Sequence, residues 1–332
     1  MHMADALVSP NVGLGMCALS AASIGYSVYK MNKEEISEKK LPLMAVSGAF
    51  IFAAQMINFT IPATGSSGHI GGGILLAALL GKYPSLLTIA AVLIIQCLFF
   101  ADGGLLALGA NIFNMGVIPC LLIYPLIFKP IIKKGFTKKN VFLASILSCV
   151  IGLQLGAFGV VLETSLSQIT SLPFQTFVLL MQPIHLAIGL IEGFITALVL
   201  VYVQSVSPQI IESSINSSYI GIPIKKVVVT LLVFTVITGG GLSLIASSFP
   251  DGLEWSIEKV TGSADLESQE DLHQQVGAIQ EQTSFMPDYD YKDGKGNGTS
   301  VAGLVGGALT CALAGMSGMI IYLIKKKQNK EV

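Results

Sequence analysis

The chain has no arginine at all: its 19 basic residues are all lysine, set against 20 acidic ones, and only 12% of residues are charged. No basic patch or stripe forms, which excludes a nucleic-acid-binding surface. The 5 cysteines (Cys17, Cys97, Cys120, Cys149, Cys311) stand singly inside apolar runs without any Cys-x-x-Cys spacing, and they read as packing residues. No Gly-x-x-x-x-Gly-Lys-Ser/Thr segment occurs, so the chain cannot cradle ATP by that loop. A secretory signal is missing too. Asp5 stands where a basic leader belongs, and no small-residue cleavage site follows a short apolar core, so a mature, free amino terminus is expected.

What remains is apolar. With 332 residues, 52% of them hydrophobic, and a mean hydropathy of +0.72, the chain carries more apolar surface than a soluble domain can hide. The expected fold is all-α: a polytopic bundle of about nine transmembrane helices, each needing about 20 apolar residues. The runs fall near residues 7–29, 42–61, 71–80, 86–101, a fifth ending at Phe128, 141–166, 174–203, 227–246 and 301–324. The piece at 71–80 is long enough to cross only if the loop before it is drawn into the membrane. Lysines mark the inner ends: Lys30, Lys33, Lys39 and Lys40, then Lys82, then Lys129, Lys133, Lys134, Lys138 and Lys139, and finally Lys325, Lys326, Lys327 and Lys330. The amino terminus is therefore expected outside and the carboxyl terminus inside a cytoplasmic (inner) membrane. Three regions follow: residues 1–204 as the main bundle, 205–226 as a polar inner linker, and 227–332 as a two-helix segment with a long acidic outer loop, read as partly disordered or as a small cap.

Few residues could do chemistry. Met1-His2 offers three nitrogens in a row, the α-amine, the amide of His2 and its ring Nδ1, which can close two fused chelate rings on one metal. His69, in the loop TGSSGHIGGG, lies on the same predicted side and would add a fourth. Four nitrogens including a deprotonated amide favour a square-planar ion such as Ni(II) or Cu(II). The plainer alternative is an initiator followed by a stray histidine. Asp102, Glu163, His185 and Glu192 are the ionisable residues expected within the membrane. Gln182, His185 and Glu192 fall along one helical stripe. That stripe either fixes helix packing or, through His185 and Glu192, orients the metal loop. Asp102, beside Gly103 and Gly104, is expected to cap a helix.

Four separated segments, MHMADALVSP, TGSSGHIGGG, DGGLLALGANIFNMG and HLAIGLIEGFITALV, together resemble the substrate-binding membrane component of nickel and cobalt energy-coupling-factor transporters, the NikM/CbiM family, over about residues 1–203. FPDGLEWSIEK resembles the PDGLE signature of the companion N component, so the chain looks like a fusion of the two. The resemblance implies a metal site of Met1, His2 and His69, with Ni2+ or Co2+ as the bound substrate and His185, Glu192, Gln182 and Asp102 as surrounding support. It also implies a separate transmembrane coupling (T) subunit, two ATPase (A) subunits and no enzymatic activity. One departure is Asp5-Ala6 where relatives often carry a glycine, which bears on the turn and not on the donors. A proton- or sodium-driven permease using Glu163 or Glu192 is the rival reading, and a membrane metal sensor without transport is another. Residues from about Val227 onward are expected to assist uptake without supplying ligands.

Overall fold

The computed structural model of the protein describes residues 1–33, 40–216, 223–264, 266, 271–293 and 298–328. Lys39, Lys330 and residues 217–222 of the predicted linker lie outside the described residues. Helices α1 (Pro10–Lys33), α2 (Lys40–Gln55), α3 (Gly73–Leu80) and α4 (Lys82–Phe100) are followed by α5 (Leu108–Lys133), α6 (Lys138–Ser167) and α7 (Phe174–Val206). Then come α8 (Pro208–Asn216), α9 (Lys225–Gly240), α10 (Gly252–Thr261), α11 (Asp271–Thr283) and α12 (Thr299–Gln328). The fold is an all-α membrane bundle. Six helices, α1, α4, α5, α6, α7 and α12, are long and apolar enough to cross a bilayer.

The three other predicted spans are shorter, and each has a local reason. α2 stops at Gln55, before Pro62 and Gly65, because the chain turns back as a small antiparallel hairpin, β1 (Phe59–Ile61) with β2 (Ser66–Gly68). α3 has 8 residues, every one buried, and rises only about 12 Å; the strand β2 that precedes it is buried as well. α9, at 16 residues, ends in glycine where Gly239 lies against the backbone of Gly303 on α12. Small residues let membrane helices approach this closely. α5 carries Pro119 and Pro125 inside a stretch of wide turns, Phe113–Phe128, as expected where proline withholds its N–H from the helical ladder.

α4 is the central rod, buried along most of its length, with α2, α5 and α12 around it. α6 and α7 form a long hairpin whose outward faces, including Leu143, Leu155, Leu190 and Leu198, are exposed and suit lipid. The predicted polar linker is only partly that. α8 is amphipathic and buries Ile210, Ile211 and Ile215, while Ser214 donates to the Ala78 carbonyl of α3 at 2.7 Å. The long acidic loop is a cap built from α10, α11 and a turn at Pro287–Tyr289.

Candidate metal centre

The amino-terminal segment enters the bundle extended and turns at a short 3-10 helix, Asp5–Leu7. Asp5 Oδ1 accepts from the amides of Leu106 (2.8 Å) and Ala107 (2.9 Å) at the start of α5. This corrects the sequence expectation for Asp102: Asp5 takes the free N–H groups at that helix start. Met3 is held on both sides of its peptide, donating to Asn111 Oδ1 at 2.7 Å and accepting from Gly104 N at 2.8 Å. Gly104 is required there, because a Cβ would sit 2.0 Å from Asp5 Oδ1. His273 of the cap donates from Nε2 to the Val8 carbonyl at 2.9 Å, so Met1 and Met3 end up buried with the segment pinned from three elements.

His69 sits between β2 and α3 in a run of glycines whose amides need acceptors. Glu192 supplies them, its two oxygens accepting from Gly71 N (2.8 Å) and Gly72 N (2.9 Å). Gly72 adopts φ 80°, a left-handed conformation in which glycine is unstrained. The His69 ring donates through Nδ1 to the Ile70 carbonyl at 3.1 Å, since a carbonyl can only accept. Its Nε2 carries the lone pair, which accepts from the Met1 ammonium at 3.3 Å. The His2 and His69 rings stack at 5.2 Å with an 18° interplanar angle. His2 Nε2 lies 3.2 Å from Gln96 Oε1 and its Nδ1 3.1 Å from Asp102 Oδ1. Tyr289 donates to the other oxygen of Asp102.

The electrostatics suit a cation-binding nitrogen set. Burial, with the neighbouring ammonium adding to it, pushes the imidazoles of His2 and His69 down to about 3, so both are neutral at pH 7 and can donate lone pairs. The Met1 ammonium donates to Asp251 Oδ2 at 2.5 Å. Burial works to raise the Asp251 carboxyl, but the ammonium and His69 outweigh it and hold it below the ordinary aspartate range. Asp251 also closes a capping box at the start of α10, accepting from Leu253 N and Glu254 N. Asp102 behaves oppositely, its carboxyl raised by burial despite the Tyr289 hydrogen bond. Among the described residues no group of three or more His, Cys, Asp or Glu side chains has metal-holding geometry.

Of the residues singled out from the sequence, Met1, His2 and His69 meet, Asp102 touches His2, and Glu192 holds the His69 loop. His185 is buried beneath them, its Nδ1 donating to the Met181 carbonyl at 2.8 Å, and it lines a small cavity with Met1, His69 and Asp251. Gln182 does not reach the loop; it exchanges hydrogen bonds with Gln154 on α6. Sequence reasoning missed Gln55, Gln96, Asn111, Tyr289 and Asp251. Asp251 carried a signal, since it opens the PDGLE segment, but that segment was assigned an assisting role. Glu192→Gln is expected to weaken metal binding about tenfold, the lower range for partners that hold a ligand in place. An amide replaces one acceptor oxygen with a donor that cannot serve Gly71 N or Gly72 N. Isothermal titration of the purified variant checks it.

The pattern of the family described as the cobalt uptake substrate-specific transmembrane region, CbiM, matches residues 2–210, and that of the PDGLE domain matches 225–323. A protein of Archaeoglobus fulgidus named as a fused nickel transport protein, NikMN, is 35% identical over 212 residues, covering 64% of this chain and 68% of that one. One of Methanosarcina barkeri, named as a cobalt transport protein, CbiM, is 31% identical, covering 59% of this chain and 86% of that one. A crystal structure of a truncated transition metal transporter superposes with a TM-score of 0.55 at 30% identity, covering 62% of this chain and 99% of that one. The chain is thus a multi-pass membrane protein of the CbiM family of nickel and cobalt transport proteins, with a PDGLE domain following its metal-uptake region.

Proposed function

We propose that the protein captures nickel, or else cobalt, as the substrate-binding component of an ATP-driven energy-coupling-factor transporter, with the metal held by the Met1 amine, the amide and Nδ1 of His2, and His69 Nε2. The observation that carries this reading is the 3.3 Å approach of the Met1 amine to the His69 nitrogen that bears the lone pair. Metal–nitrogen bonds of about 2.0–2.1 Å place adjacent donors about 2.9 Å apart, so a small closure completes the set. Among the described residues the His2 amide donates no hydrogen bond, as a nitrogen that must be deprotonated by metal requires. Four nitrogens favour nickel over harder ions.

Residues 1–204 form the metal-binding component in this reading, 205–226 the inner linker, and 227–332 the companion segment, a division in keeping with the two matched ranges. The lysine-rich helix ends lie inside, the metal centre outside. A transmembrane coupling subunit and two ATPase subunits supply the energy in this reading, as the resemblance to energy-coupling-factor transporters implies; this chain has no phosphate-cradling loop of its own. The test is metal uptake by membrane vesicles holding the chain with these subunits, together with the metal content of the purified chain after growth with both ions. Uptake that ignores ATPase inactivation and follows an imposed proton or sodium gradient favours the permease reading. Metal binding without uptake favours a sensor.

Asp251 borders the outer cavity of about 750 Å³ that also reaches His2, His69, Asp102 and Glu254. A carboxylate there draws divalent cations toward the amine without being needed as a ligand. Asp251→Asn is expected to slow metal association about tenfold while Kd changes less, as stopped-flow binding at low and high salt would report.

A further inference from the structure

Two glutamines inside the membrane bundle join the two arms of the metal centre. Gln55, at the end of α2, and Gln96, on α4, are buried. Gln55 Nε2 donates to the Gly71 carbonyl at 2.9 Å, Gln96 Nε2 donates to Gln55 Oε1 at 2.8 Å, and Gln96 Oε1 faces His2 Nε2 at 3.2 Å. The direction of this chain is not free. A carbonyl accepts and never donates, so the Gly71 end demands the NH2 of Gln55. Gln55 then presents its oxygen to Gln96, which must answer with its own NH2. The remaining Gln96 oxygen can only accept, so the ring nitrogen facing it, His2 Nε2, carries the hydrogen.

A neutral imidazole has one N–H. With that hydrogen on Nε2, the lone pair is on Nδ1, the nitrogen adjacent in the chain to the His2 amide and able to close a chelate ring with it. Asp102 Oδ1 lies 3.1 Å from Nδ1; with no hydrogen on that nitrogen, the one between them sits on the carboxyl and the nitrogen accepts it. Gly71 is two residues beyond His69, so the same relay ends on the loop that carries the other imidazole. If the loop swings away, Gln55 loses that acceptor.

We propose that Gln55 and Gln96 are positioning residues that select the Nδ1-donating tautomer of His2 and tie it to the closed state of the His69 loop. The proposal rests on the metal-binding reading above for its purpose, but its structural claim stands in the metal-free protein. Full-length chain labelled with 15N-histidine in nanodiscs, free of metal, gives the ring-nitrogen shifts of His2, identified by their loss in His2→Ala. Wild type is expected to show Nε2 protonated and Nδ1 unprotonated. Gln96→Leu should move the hydrogen to Nδ1 or mix the two forms, and should weaken nickel binding 10–100-fold, the range for outer partners of a metal-bound imidazole.

Gln55→Met, of similar volume, leaves Gln96 free to turn over and should mix the tautomers as well; it decides the matter where Gln96→Leu fails to fold. Nδ1 protonated in the wild type overturns the proposal, as does an unchanged His2 tautomer in a folded Gln96 or Gln55 variant. The expected tautomer in a chain that binds no nickel would leave the relay standing and remove the function proposed for the centre. Nickel bound with full affinity beside an Nδ1-protonated metal-free ring would do the reverse.

Discussion

One glycine added ahead of Met1 is expected to abolish high-affinity metal binding by the purified protein. The Met1 nitrogen is 2.5 Å from Asp251 and 3.3 Å from His69 Nε2, and its residue is buried with 6% of its surface exposed. An extension converts that amine to an amide and carries the new amine about 3.8 Å away along the chain. The five-membered ring between amine and neighbouring amide then no longer includes His2 in the register that brings in Nδ1. Loss of a donor exceeds the 10–100-fold effects of outer partners, so the fall in affinity should be greater than a hundredfold. Competition against a calibrated chelator measures it. Binding within tenfold of wild type would remove the amine from the site.

His69→Ala should have an effect of the same order for a different reason. The substitution leaves the loop backbone in place, because Glu192 holds the Gly71 and Gly72 amides, Gln55 holds the Gly71 carbonyl, and β2 pairs with β1. What disappears is one neutral imidazole with its lone pair directed at the amine, and the ring stacked on His2. Metal stoichiometry is expected to fall to near zero after gel filtration, while the helical circular dichroism and the thermal transition stay close to wild type. A variant that retains one nickel per chain would show that His69 is not a ligand. One that loses its helical signal would show that the imidazole is structural.

The carboxyl-terminal third lies nearer to this chemistry than its sequence suggests. Scattered carboxylates on a loop that otherwise resembles a solvated cap point to assistance from a distance. Instead Asp251 meets the Met1 ammonium, Tyr289 orients Asp102, His273 holds the Val8 carbonyl, and the Pro250 carbonyl accepts from Ser67 N beside the His69 loop. Asp288 and Tyr289 both adopt left-handed φ, 51° and 61°, at the turn that delivers the Tyr289 hydroxyl. Such conformations cost about 1–2 kcal/mol per residue away from glycine, and here the stacking of Tyr289 on Phe100 at 5.1 Å helps to hold them.

Much of the molecule follows from composition and local order. Apolar run lengths and terminal lysines place every long helix within a few residues, because a chain in a bilayer must satisfy its backbone within each segment, and that requirement is local. The same local logic singled out Met1-His2 and His69, since chelate rings form between neighbouring atoms and glycine-rich loops are legible as loops. The tertiary structure decided what surrounds them. Asp5 and not Asp102 serves α5, Gln182 turns to Gln154 and away from the loop, Gln96 reaches His2 across 94 positions, and Asp251 reaches Met1 across 250. Spacing along the sequence carries no record of these pairings. A buried donor or acceptor needs a partner of the right kind within about 3 Å, and which residue supplies it is settled only when packing has brought distant helices together.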